Sequence, residues 1–202
     1  SSVVIDITQD FMGNDLSVAF YDNGEGMSVD ELKNAMRYGS DKRPSPKSLG
    51  KFGMGLKTAS TAFCRRLSVI SIKDNVTSIR VWDIDEIIDQ DEWVLLEPNL
   101  EDYSNYLEKL KTLTDGSGTV VIWTRVDRLI TNNGTDYIQK AMDTIIAEIS
   151  QHLSATFGKF LIGVDNFNNT KADEFTQPDF TITVNDLVIE GWNPNGLYLN
   201  EN

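Results

Sequence analysis

Two glycine clusters carry the residue types whose spacing could do chemistry. Gly50-Lys51-Phe52-Gly53-Met54-Gly55 runs into Leu56-Lys57-Thr58. Glycines so spaced let a backbone turn its amides inward, and a helix starting at Gly55 adds unpaired N–H groups and a positive dipole end. Both features suit a phosphate. The other cluster, Asp22-Asn23-Gly24-Glu25-Gly26-Met27, follows the apolar run Leu16–Tyr21 directly. Taken alone it reads equally well as a β-turn, since Asn-Gly and Asp-x-Gly are ordinary turn chemistry.

Charge points the same way as the Gly50–Gly55 cluster. The chain carries a net −13, which argues against nonspecific nucleic-acid binding. Yet Lys33, Arg37, Lys42, Arg43, Lys47, Lys51, Lys57, Arg65 and Arg66 are opposed within their segment only by Asp41. A basic island in an acidic chain fits a local anionic ligand, and its plainer reading is a solvated loop and helix face.

Familiar phosphate motifs fail on detail. Gly50 and Gly55 have P-loop spacing, but Leu56 is inserted before Lys57-Thr58, and the polar, proline-containing stretch ahead of Gly50 denies it a buried strand. Neither Gly24-x-Gly26 nor Gly53-x-Gly55 supplies the third glycine of a dinucleotide fingerprint. A calcium loop from Asp22 would need oxygen ligands where Gly24 and Gly26 stand. One His and one Cys are too few for a zinc site.

The elements that must position these clusters follow from periodicity. Val3–Ile7 and Leu16–Tyr21 read as a hairpin around residues 10–15. Ser28-Val29-Asp30-Glu31 is a capping box, predicting a helix through Leu32, Ala35 and Met36 that Gly39 ends. Residues 40–51, with Pro44 and Pro46, read as loop. Leu56, Ala59 and Phe63 repeat on one helical face after Gly55, and Cys64 in that apolar helical context reads as buried filler. Leu67–Ile72 and Val76–Trp82 are strands joined at Asp74-Asn75. Residues 83–92 read as a loop or short helix, and Tyr103, Tyr106, Leu107 and Leu110 as an amphipathic helix. Thr119–Trp123 is a buried strand, and residues 137–161 form the longest helix. Within that helix, lone His152 reads as a packed or capping residue. Thr181–Ile189 is a hairpin turned at Asn185-Asp186. Hairpins interrupted by helices predict an α+β fold, a two-layer α/β sandwich with a mixed, mostly antiparallel sheet and helices on one face. The expected division is a domain over 1–161 and a hairpin extension over 162–202.

With no long apolar span and no signal-like start, no membrane association is expected, and the single cysteine points to a cytoplasmic setting.

The order of motifs is more specific than any one of them. A strand ending in Asp22-x-Gly24-x-Gly26, a capped helix, a basic loop, Gly50-x-x-Gly53-x-Gly55 opening a helix, and Gly118-Thr119 on a strand resemble the nucleotide-binding boxes of the GHKL ATPases. That family includes gyrase B subunits, ninety-kilodalton heat-shock chaperones, histidine kinases and MutL. The resemblance covers residues 1–125. Gly53-Met54-Gly55-Leu56-Lys57-Thr58-Ala59-Ser60 and Tyr38-Gly39-Ser40-Asp41-Lys42 lean toward MORC-like and related bacterial members. The tail 182–194 is a softer match.

The resemblance implies the Bergerat form of this sandwich and ATP, with Mg²⁺, as the ligand. It puts adenine against Asp22, with Gly24 beside it, Gly26 leaving room for the base, Met27 on the ring and Thr119 completing the polar contacts. It gives the phosphates to Gly50, Gly53, Gly55, Leu56 and Lys57, with Lys42 as the other candidate cation. Residues 40–52 become a lid, and ATP-dependent homodimerisation driving a larger machine becomes the expected behaviour. A nucleotide-sensing scaffold without turnover is the alternative. The family's Mg²⁺-binding asparagine and water-activating glutamate precede the first strand and have no counterpart in these residues. Negligible hydrolysis by residues 1–202 alone is therefore expected.

Overall fold

The computed structural model describes residues 1–9, 16–37, 55–126, 135–163 and 179–192. Seven strands form a mixed sheet in the order β4-β3-β5-β2-β1-β6-β7. They are β1 (Ser2–Gln9), β2 (Leu16–Asp22), β3 (Cys64–Lys73), β4 (Val76–Asp83), β5 (Gly118–Val126), β6 (Thr181–Val184) and β7 (Leu187–Val188). The helices are α1 (Val29–Met36), α2 (Gly55–Phe63), α3 (Ile84–Gln90), α4 (Ser104–Leu113) and α5 (Thr135–Ile162), with a 3-10 turn at Leu100–Tyr103. The chain is thus α+β, a two-layer α/β sandwich as its sequence implies. It divides into two compact units, Ile7–Thr131 and Ser1–Asp6 with Asn132–Asn202.

In the larger unit, β3 pairs antiparallel with both β4 and β5, and β5 pairs antiparallel with β2. The β3–β4 turn puts Asp74 at φ 50° and Asn75 at φ 62°. Two successive left-handed residues match the twist of a tight hairpin, and Asp and Asn tolerate that region. Register aligns Asp22, Thr119, Ser71 and Ser78 in one row across four strands. Because strand side chains alternate, this row shares its face with Val18, Trp123, Leu67 and Trp82 two rows away.

Helix α1 begins as the capping box requires. Ser28 Oγ accepts from Glu31 N at 3.3 Å, and Glu31 Oε2 accepts from Ser28 N at 2.8 Å. Lys73 Nζ donates to the same Glu31 oxygen at 2.7 Å; that bond, with Ser28, holds the Glu31 carboxyl down to about 2. The helix stops at Met36, short of the expected Gly39, because Arg37 turns extended at φ −75°, ψ 139°. Its C-terminal carbonyls, left without intrahelical partners, find side-chain donors. Trp82 Nε1 donates to Met36 O and Lys57 Nζ to Ala35 O, both at 2.8 Å.

Helix α2 buries a different face from the apolar stripe read in sequence. Lys57 and Ser60 are buried, whereas Phe63 is 40% exposed. Ser60 Oγ donates to Leu56 O and accepts from Trp123 Nε1, so the helix docks on β5 through a polar contact. Phe63 instead stacks along Trp123 at 5.8 Å. Cys64 is buried as expected but opens β3 rather than ending the helix. On the opposite face of the sheet, the Tyr103 hydroxyl bonds Ser68 Oγ at 3.0 Å and Leu110 of α4 is fully buried, so α4 adds a helix on the face expected to carry none, because β3 is buried on both its faces.

In the smaller unit, β6 runs parallel to the start of β1, with Ser2 opposite Thr181 and Ile5 opposite Val184. The β6–β7 turn has Asn185 at φ 44° and Asp186 at φ 66°, as its residue types predict. Helix α5 packs on β6. His152 lies exposed on it, 3.3 Å from Thr156 Oγ1, rather than packed, because its helical position faces away from the Met142 and Leu161 side.

Where β4 ends, Asp83 is almost wholly buried, caps α3 through Asp85 N and Glu86 N, and pairs with Arg66 and Arg125. Burial alone would raise its carboxyl; the bonds from Arg125 and Arg66 outweigh burial and hold it below the ordinary 3.8. A depressed carboxyl stabilises the fold above its unfolded pKa and loses that contribution as pH falls through the folded value. Asp83→Asn should therefore cost roughly 1.5–3 kcal/mol at neutral pH. Denaturation midpoints of the two proteins should converge well below pH 3.8; a pH-independent gap would assign the loss to packing.

Candidate functional site

The end of β2 feeds a loop that folds back over β3 and β5. Asp22 Oδ1 accepts from Gly24 N at 2.9 Å. Ser117 Oγ donates to Gly24 O at 3.1 Å. Met27 N donates to Ser71 Oγ at 2.8 Å, which ties the far end of the loop to the middle of the sheet. Ser71 Oγ also meets Thr119 Oγ1 at 2.9 Å and Gly118 O at 3.2 Å. Met27 and Thr119, singled out in sequence for one task, thus meet on Ser71, while Asp22, the cross-strand neighbour of Thr119, is tied through Gly24 to Ser117. Ser71 and Ser117 join them unforeseen.

Gly26 explains how the loop lies so close. It adopts φ +66°, and a Cβ there would stand 1.8 Å from Ile72 O and 3.2 Å from Gly118 N. Its missing side chain therefore makes room for the β3 backbone, a different reason from the space for a base that the resemblance implies. At Gly24 a Cβ would stand 2.7 Å from Asp22 Oδ1, against the carboxylate that its own N–H holds.

The Asp22 carboxylate is half-buried. Burial raises its pKa, and the Gly24 N–H offsets this only in part. Among the described residues its second oxygen, Oδ2, has no hydrogen-bond partner, so a charged acceptor is held partly out of water without a matching donor. Such an oxygen is set to receive an N–H from a ligand.

The Gly50–Gly55 cluster is only partly described. Lys42, Gly50 and Gly53, with the expected lid over 40–52, lie outside the described residues. Gly55 opens α2, nothing among the described residues standing within 4 Å of where a Cβ would project, and Leu56 is half-buried. Lys57 is 1% exposed, its amine on Ala35 O and its pKa lowered by burial. It bridges the start of α2 to the end of α1, where the resemblance has it neutralising phosphate. Among the described residues no group of three or more His, Cys, Asp or Glu could hold a metal ion. No described helix is long and apolar enough to cross a membrane.

Residues 1–119 match the family model of the histidine kinase-, DNA gyrase B- and HSP90-like ATPases. The chain belongs to this family. The matched span contains β2, the Asp22–Met27 loop, α1, α2 and β3, and ends on Thr119, the residue opposite Asp22. A comparison with curated proteins found no match. As a module of the GHKL ATPases the chain is of an ATP-binding class.

The two glycines separate by environment. Gly26→Ala meets both a left-handed φ, costing roughly 1–3 kcal/mol in itself, and the Ile72 carbonyl, so it should lower the denaturation midpoint sharply. Gly55→Ala should leave stability unchanged or raise it by up to about 1 kcal/mol, since alanine is the better helix former. Chemical denaturation of both variants checks the contrast, and equal losses would contradict the loop's seating on β3.

Proposed function

We propose that this module binds ATP with the adenine amine on Asp22, Met27 against the ring, and the Thr119 hydroxyl, directly or through water, on the neighbouring edge of the base. The observation that carries this is the half-buried Asp22 carboxylate with Oδ2 unpartnered among the described residues. Gly24 and Gly26 shape the loop. Gly50, Gly53, Gly55 and Leu56 open the phosphate end, and Lys42 is the cation for the phosphates, because Lys57 is engaged with Ala35 O. Mg²⁺ accompanies the nucleotide in this family.

We further propose that residues 40–52, which carry Lys42, Arg43, Lys47 and Lys51, close over the phosphates as a lid. The resemblance of the Gly53–Ser60 sequence to MORC-like members is the ground for proposing a homodimer that forms on closure and drives a larger machine in the cytoplasm. Hydrolysis in this scheme needs a general base, typically worth about 10²–10⁴-fold in rate. Asp22 is committed to the base, and Glu25 sits between glycines on the loop. Residues 1–202 by themselves accordingly bind ATP without appreciable turnover.

Asp22→Asn separates function from stability. A raised carboxyl pKa means the ionised form is disfavoured in the fold, so charge at Asp22 costs stability above the unfolded pKa and costs nothing at acid pH. The Asn variant, still able to accept from Gly24 N, should melt no lower than wild type at pH 7. Its ATP affinity should fall roughly ten- to a hundredfold. Calorimetry with ATP, GTP and inorganic phosphate measures this. Unchanged ATP affinity in the folded variant, or equal affinity of the wild type for phosphate alone, would remove Asp22 from the site.

A further inference from the structure

Helix α3 is amphipathic by spacing, with Ile84, Ile87 and Ile88 at i, i+3 and i+4, yet it buries none of its residues, and Ile88 is 63% exposed. The helix is nevertheless held firmly. Asp83 caps its start, and Asp85 pairs with Arg65 and Arg125. At its other end Asp91 turns the chain in the left-handed region at φ 52°, and Trp93 comes back to meet Trp82, the residue just ahead of the cap, edge-on at 5.7 Å between ring centres. Trp93 is still 67% exposed. Beside these side chains, Val81 and Leu96 exchange backbone hydrogen bonds at 3.0 and 2.9 Å, so the outer edge of β4 is already answered there. Charge on this surface has one sign. No Lys, Arg or His lies between Val81 and Glu108. Arginines of β3 and β5 neutralise Asp83 and Asp85, but Glu86, Asp89, Asp91 and Glu92 are exposed and form no ion pair among the described residues.

We propose that α3 and Trp93 form a docking surface for a basic amphipathic helix of a partner protein, with its apolar side chains on Ile88 and Trp93 and its Lys or Arg against the four carboxylates. Tryptophan is enriched among the residues that dominate interface affinity. A seven-residue helix is only about 10 Å long, so Ile88 and Trp93 fall within the footprint of one partner helix. The carboxylates repel nucleic acid and the anionic face of a membrane, which leaves a cationic polypeptide as the complement. A partner strand would need backbone donors and acceptors on β4, and at Val81 Leu96 has taken them. A helix satisfies its own backbone and brings side chains alone. The surface owes nothing to the nucleotide reading.

The probe is a synthetic helical peptide of about 18 residues, long enough to hold a helix, with Leu at i, i+3 and i+4 and Lys elsewhere. It is titrated by calorimetry into the 202-residue chain beside two controls, one with every Leu replaced by Ser and one with every Lys replaced by Glu. Wild type should bind the Leu/Lys peptide at least about tenfold more tightly than either control. Ile88→Ser and Trp93→Ser should each weaken that binding about tenfold, and Asp89→Lys should weaken it severalfold. Salt near 1 M, which shortens the Debye length to about 3 Å, should weaken it as well. Wild-type affinity in Ile88→Ser overturns the proposal, as does equal binding of the Ser/Lys control, which would leave only unspecific charge attraction. If Trp93→Ser is unstable for want of its contact with Trp82, Ile88→Ser, whose side chain is exposed on the helix, decides alone. Self-association of wild type in sedimentation that Ile88→Ser abolishes overturns it too, because a second copy of this chain would then cover the face.

Discussion

The close approach of the Asp22–Met27 loop to β3 is the constraint on which the rest of the site depends. Main chain lies against main chain there, with the Ile72 carbonyl occupying the place where a side chain on residue 26 would project. That approach brings Met27 N within hydrogen-bond reach of Ser71, one strand from where β2–β5 pairing sets Asp22 beside Thr119. A loop standing even one methyl group further out would break the Met27–Ser71 bond. The left-handed conformation and the missing Cβ at Gly26 are thus one requirement, since the same φ that turns the chain also directs it onto the strand.

Around this contact, polar groups are buried in an order that makes chemical sense. Each carbonyl at the C-terminal end of α1 would be costly unsatisfied, and Lys57 and Trp82 meet two of them from α2 and β4. Ser60 gives α2 a hydrogen-bonded seat on Trp123, and Asp83 holds the far end of the sheet through two arginines. These bonds fix the directions of α1 and α2, the helices that flank the row of Asp22, Thr119 and Ser71. Apolar packing supplies most of the driving force, through residues such as Val69, Ile70, Val81 and Ile122. The polar bonds select one arrangement among several that would bury the same apolar area.

Much of this is legible in the sequence because local chemistry dictates it. The capping box at Ser28 and the turns at Asp74-Asn75 and Asn185-Asp186 each act within a few residues, so residue type is sufficient. What the sequence conceals depends on register between distant segments. Ser71 in an apolar run looks like an ordinary strand position until pairing places it beside Thr119 and beneath Met27. Lys57 on a polar helix looks solvated or ligand-bound until the end of α1 arrives over it. The stripe of Leu56, Ala59 and Phe63 gives way to Lys57 and Ser60 for the same reason: tertiary donors and acceptors override apolar periodicity on a short helix. Cys64 shows that the helix-to-strand switch occurs with no intervening turn, which periodicity cannot mark.

The central claim is that the base of a nucleotide, rather than its phosphates, is read by the loop and row around Asp22. Amide NMR of the chain titrated with adenosine, which has no phosphate, tests this most directly. The account predicts saturable shifts at Gly24, Met27 and Thr119, with the Met27 amide kept in its bond to Ser71. Shifts that appear only with ATP or inorganic phosphate, and leave those three amides unmoved, would contradict it.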